Sequence, residues 1–158
     1  DYRSYEETYY YTWSWTYDNI QVASSEEVYN YSSSNDRALY GSLMTWNVAD
    51  TLDDNFHLPT RADWEKMFDF CGGYELAGFN LQVKAEHGLN LTLAGTTING
   101  WSEETGVNGY YWTGDEYDES SAYAVKITSG SDAVEFVVLD KSTQASVRLM
   151  YEYYQYFN

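Results

Sequence analysis

One cysteine, one proline and two histidines stand in a chain of 158 residues, and only eight basic residues face 25 acidic ones. Each shortage removes a class of reading. With Cys71 alone no internal disulfide can form, and on an apolar helix face its thiol reads as a small buried hydrophobe rather than a nucleophile. A net charge of −17 leaves nothing to neutralise phosphates, which argues against nucleic acid and anionic membrane surfaces as partners. No apolar run approaches the roughly 18–20 residues of a membrane span. His57 and His87 lie far apart, without the His-x-x-x-His spacing of a helix-borne metal pair. A P-loop, a dinucleotide-type glycine pattern and a Ser-His-Asp set are missing too. The length suits one domain, able to bury roughly 68–70% of its unfolded surface, so folding needs neither metal nor disulfide. The first residue is Asp1 rather than Met, which fits an upstream secretion signal.

Aromatic residues are abundant: 18 Tyr and 6 Trp. Chains too polar to fold are poor in aromatics, so a disordered reading fails. The rings are also unevenly placed, with nine of the 18 tyrosines in residues 1–40 and four more in residues 151–158. Tyr9 to Tyr17 alternates, so that Tyr11, Trp13, Trp15 and Tyr17 share one face and hydroxyl-bearing residues the other, the pattern of a strand. The two ends are chemically alike and unlike the middle.

His57 to Cys71, HLPTRADWEKMFDFC, carries the clearest helix start in the chain. Pro59 pins the backbone before Thr60. The Thr60 hydroxyl can accept from the Asp63 amide while the Asp63 carboxylate reaches back, a capping box. Trp64, Met67, Phe68 and Cys71 follow at i, i+3, i+4 and i+7, and Gly72-Gly73 end the run. The spacing predicts one amphipathic helix from Arg61 to about Phe70, with Pro59, Thr60, Trp64 and Phe68 as structural residues.

Elsewhere the pattern is plainer. Ile20 to Val28 can supply an extended piece, and Ala38 to Ala49 reads as a buried strand or strand-and-turn. Tyr74 to Val83 reads as a second helix broken by Gly78, and Leu89 to Ala94 alternates as a strand. Gly95 to Gly109 reads as loop-rich. Tyr110 to Thr113, Ala122 to Thr128, Ala133 to Leu139 and Ala145 to Tyr154 are strand candidates, with an acidic turn from Gly114 to Ser120. The expectation is an α+β domain with one or two short helices and a mostly antiparallel sheet.

The order ALYGSLMTWNVA, HLPTRADWEKM, GLNLTLAG, GYYWTGDEYDESSAYAVKI and ASVRLM resembles the Fibrobacter succinogenes major paralogous domain, a bacterial family. The resemblance implies the C-type-lectin-like fold shared with formylglycine-generating enzymes. It covers residues 39–150, leaving a Tyr-rich N-terminal strand or extension at 1–38 and a Tyr-rich C-terminal strand at 151–158. Where the family places a cysteine-bearing entry to the helix, this chain has Asp53-Asp54-Asn55-Phe56, and Leu149 replaces a terminal cysteine. Packing of Phe56 and Leu149 would then hold that corner. The resemblance also implies that first and last strands pair.

The related enzymes use paired cysteines or a histidine-built iron site, and the parts are missing here, so no catalytic or cofactor-binding residue is assigned. Calcium is the one cofactor left open: Asp115, Glu116, Asp118 and Glu119 cluster in one turn with oxygen ligands, against the simpler reading of a solvated acidic loop. Metal-free stacking of a glycan on Trp101, Tyr117 or Tyr123 is a second option. Asp50-Thr51-Leu52 resembles a short O-glycosylation motif, with Thr51 the acceptor of a glycoprotein. Tyr9, Tyr11, Trp13, Trp15 and Tyr17 are the partner-binding candidates, either paired with residues 147–157 in one ribbon or added to a neighbour's sheet. The expectation is a secreted or cell-surface, non-catalytic structural subunit that self-associates into an oligomer or filament. The alternatives are a monomeric adhesin for a glycan or protein ligand and, third, a cysteine-independent enzyme on the same fold.

Overall fold

The computed structural model describes residues 9–16, 18–22, 25–82 and 89–156, with backbone alone for 9–14 and 152–156. It is an α+β arrangement of nine strands and four helices among the described residues. In chain order these are β1 Tyr9–Trp15, β2 Val28–Asn30, α1 Ser34–Tyr40, β3 Ser42–Met44, α2 Trp46–Asp50, α3 Arg61–Phe70 and α4 Ala77–Gln82. Then follow β4 Thr96–Ile98, β5 Trp101–Glu103, β6 Asn108–Glu116, β7 Ser121–Thr128, β8 Val134–Asp140 and β9 Met150–Tyr156. The strands form four small sheets, β1-β9, β2-β3, β4-β5 and β6-β7-β8, each antiparallel.

The three-stranded sheet divides the core. Side chains alternate faces along a strand, and here both sets are apolar. Tyr110, Trp112, Ala122, Ala124, Val137 and Leu139 pack on one side with Met44, Trp46, Val147 and Leu149. Tyr111, Val125, Ile127, Val134 and Phe136 pack on the other with Trp64, Phe68 and Leu81 of α3 and α4. Register supports this division, since Ala124 stands opposite Val137 and Val125 opposite Phe136. Burial on both faces explains why these strands read as apolar runs.

Helix α3 spans the residues its spacing predicts. Thr60 Oγ1 accepts from the Asp63 amide at 3.1 Å and Asp63 Oδ2 from the Thr60 amide at 3.0 Å, closing the capping box. Gly72 and Gly73 follow at φ 100° and 88°, where a side chain would be strained. Trp64 and Phe68 are fully buried. Leu149 is buried in the first core group, and Phe56 is half-buried against that group.

Several elements differ from the sequence expectation. The run 38–49 is the end of α1, then β3, then α2, because Ser33 caps α1 and Gly41, at φ 69°, turns the chain. Gly78 does not break the second helix; it lies inside α4, where an added Cβ would collide with the carbonyl of Ala133. Residues 89–94 form no strand. Their polar groups bond to the end of α4 and to a side chain of β6 instead: the Leu91 amide donates to Leu81 O at 2.8 Å and the Thr92 amide to Tyr111 Oη at 2.8 Å. The supposed loop 95–109 contains the β4-β5 hairpin, and β6 runs through Glu116, which shortens the acidic turn to residues 117–120.

Candidate functional site

Both Tyr-rich ends meet in one antiparallel ribbon, in register from Tyr9 opposite Tyr156 to Trp15 opposite Met150. Backbone bonds identify the edges. The Thr16 amide donates to Leu149 O at 2.8 Å, so Thr16 turns its bonds inward. In an antiparallel ladder the set alternates, which turns the amides and carbonyls of Trp15, Trp13, Tyr11 and Tyr9 outward. On β9 the outward set begins at Met150, which exchanges bonds of 2.8 and 2.9 Å with His57. His57, just before α3, therefore covers the first outward position of β9. Among the described residues the ribbon has two strands, and none of them lies along the outer edge of β1.

The four described candidates for partner binding, Tyr9, Tyr11, Trp13 and Trp15, share that outward backbone row; Tyr17 lies outside the described residues. Trp15 anchors the ribbon to the body, its ring 4.8 Å from that of Trp64. The Trp64 Nε1–H is buried without a hydrogen-bond acceptor among the described residues, enclosed by the rings of Trp15, Phe68 and Tyr111.

Below the ribbon a buried cation joins three segments. Arg148 is 2% exposed. Its Nε donates to Asn19 Oδ1 at 2.8 Å, and its other nitrogens to Thr16 O at 3.3 Å and Asn90 O at 3.5 Å. Burial lowers its pKa, opposed by the nearby Tyr111 and Asp18. The sequence signal was there, a single arginine inside the apolar run ASVRLM, but the three oxygens it binds are remote in the chain.

Three of the four acidic candidates for calcium have carboxylates already engaged, and Glu119 is held through its backbone oxygen. Asp115 Oδ2 accepts from the Arg61 amide at 2.8 Å, adding a cap to α3 from the end of β6. Glu116 lies 3.4 Å from Lys141 Nζ, and Lys141 also donates to the backbone oxygen of Glu119 at 3.0 Å. Asp118 accepts from the Ser120 amide at 2.9 Å, which with other Ser120 and Ser121 bonds lowers its pKa. Among the described residues no group of three or more His, Cys, Asp or Glu side chains is gathered as a metal site.

Of the stacking candidates, Trp101 and Tyr117 are exposed, whereas Tyr123 is covered by the Arg61 guanidinium, 3.8 Å above its ring. Thr51 is exposed at the end of α2, its hydroxyl donating to Asn47 O at 2.9 Å. Cys71 is buried, and burial raises its pKa, so it is a thiol rather than a thiolate. No helix of the described residues is long and apolar enough to cross a membrane. No family model matches the chain, and neither a curated protein nor a solved structure matches it.

Proposed function

We propose that the chain is a non-catalytic subunit of a secreted or cell-surface assembly, joined to neighbouring copies through the aromatic ribbon made by its two ends. The observation that carries this reading is the outer edge of β1, which no strand of the described residues pairs with and which the outward-facing backbone of Tyr9, Tyr11, Trp13 and Trp15 lines. A two-stranded ribbon is marginal in water and an unpaired edge templates further pairing.

Charge favours a second copy as the occupant. In a chain of net charge −17, strands β1 and β9 (YYYTWSW and MYEYYQY) contain one charged residue, Glu152. The ribbon is where two copies meet with least repulsion. If the contact is head-to-tail and does not close, it builds a filament. A C-type-lectin-like architecture is part of the proposal, supported by pairing of the first and last strands and by the capped helix beneath them. The extracellular setting is part of the same proposal, and the non-catalytic reading is supported by the single, buried, thiol-form Cys71.

Sedimentation velocity over a wide concentration range tests the reading. The full chain should assemble. Tyr11→Pro removes an outward amide and leaves the inward ladder bonds to β9, so it should shift the protein toward monomer without lowering its melting temperature appreciably. Deleting residues 1–17 is a poorer test, because it also removes Trp15 from Trp64. A full chain that stays monomeric at every concentration would sink the proposal.

A further inference from the structure

A cavity of about 420 Å³ lies between the loop before β2, the β4-β5 turn and the turn after β8. Asn99 and Gly100 form that β4-β5 turn at φ 52° and 81°, the backbone of a two-residue type I′ hairpin, for which Asn-Gly is favoured. The hairpin is fastened to the turn after β8. Thr97 and Gln144 exchange two backbone bonds of 2.9 Å, and Thr97 Oγ1 donates to Gln144 Oε1 at 2.6 Å.

This fastening orients the Gln144 amide. Gln144 is 7% exposed and lines the cavity; its oxygen is satisfied by Thr97, while no hydrogen bond from the described residues reaches Nε2. A nearly buried side chain of the cavity wall thus carries two unused donors. Thr45 is equally buried and donates to Glu27 Oε1 at 3.3 Å, setting a carboxylate in the wall beside Glu26. Lys141, also in the wall, is held by Glu116 and Glu119 and lies 4.6 Å over the Trp46 ring.

These groups select a ligand chemistry. Two carboxylates repel an anion, and the lysine charge is already engaged. An ammonium or guanidinium group would suit Glu26 and Glu27 but cannot accept from Gln144 Nε2. A hydroxyl does both, accepting from the amide and donating to the carboxylate. Trp101, the residue after Gly100 of the cavity wall, is 78% exposed, an indole left in water. Such a ring can stack on the C–H face of a sugar. We propose that the cavity binds an uncharged polyhydroxylated ligand, a saccharide unit, without a metal ion: Gln144 is the donor, Glu27 the acceptor and Trp101 the stacking platform. The inference goes beyond the assembly reading and does not depend on it.

The test is ¹H–¹⁵N NMR of the full chain, following the Gln144 side-chain amide and the Trp101 indole. The probes are glucose, galactose, mannose, xylose, maltose and cellobiose, with spermidine and inorganic phosphate as charged comparators. At least one neutral sugar should move both signals at millimolar concentration, unchanged by EDTA. Trp101→Ala, at an exposed position, should weaken that binding about fivefold to tenfold, and Gln144→Leu should abolish it. The proposal is overturned if no sugar moves either signal, if only spermidine or phosphate does, if EDTA removes sugar binding, or if Trp101→Ala binds as the parent does.

Discussion

Trp15 of the terminal ribbon lies against Trp64 of α3, with ring centroids 4.8 Å apart at 58°. One contact thereby links the aromatic end of the chain to the best-capped helix. Trp64→Ala should cost ~3–5 kcal/mol through lost burial and the cavity left. Trp64→Phe should cost less, since it also removes an indole N–H that has no acceptor among the described residues. Trp15→Ala should leave the body folded while amide exchange in β1 and β9 quickens. Melting temperatures and exchange rates check all three; an unchanged melting temperature for Trp64→Ala would show that the helix does not pack through this ring.

Gly78→Ala should destabilise by about 1–3 kcal/mol, although alanine is the better helix former by about 1 kcal/mol. The added methyl would meet the backbone carbonyls of Ala133 and Asp132 just before β8. Urea midpoints of parent and variant decide the sign. A gain in stability would mean that α4 does not approach that backbone so closely.

Arg148→Lys should cost about 2–3 kcal/mol. A single ammonium cannot span Asn19, Thr16 and Asn90 as the guanidinium does. Because one residue ties the segment after β1 to the loop before Thr92, the loss should appear both in the urea midpoint and in faster exchange of the ribbon.

Stability should fall at alkaline pH through Tyr31. Its hydroxyl donates to Ala94 O at 2.8 Å, and burial pushes its pKa up from the ordinary 10.0 to about 12. The folded state therefore holds this proton more tightly than the unfolded chain. The contribution is complete below pH 10 and is lost as the pH rises from 10 through about 12, on the order of 2 kcal/mol. Tyr74 is raised to about 12 as well, so the comparison must be with Tyr31→Phe, whose urea midpoint should fall less steeply over that range. Equal slopes would rule Tyr31 out as the cause.

What the sequence determined by itself was local. The α3 boundaries, the Thr60–Asp63 capping box and the glycine stop depend on neighbours within four residues, and all three stand as the spacing predicts. The strands β6, β7 and β8 were legible from apolar runs, and the aromatic alternation of β1 from its period of two. The β4-β5 hairpin reads as loop, because its strands are only three residues each.

Only the tertiary structure decided the rest, because the deciding contacts are remote in the chain. Gly78 stays helical because Ala133 needs the space. Residues 89–94 are not a strand because Tyr111 and Leu81 take up polar groups there. Arg148 is tolerated in the core because Asn19, 129 residues away, turns an oxygen to it. The ribbon partner is likewise non-local: the alternation Tyr11, Trp13, Trp15 specifies a strand with two faces, but pairing energy depends on what lies alongside. In this protein the backbone of residues 150–156 takes one edge of β1, and no other strand of the described residues takes the second.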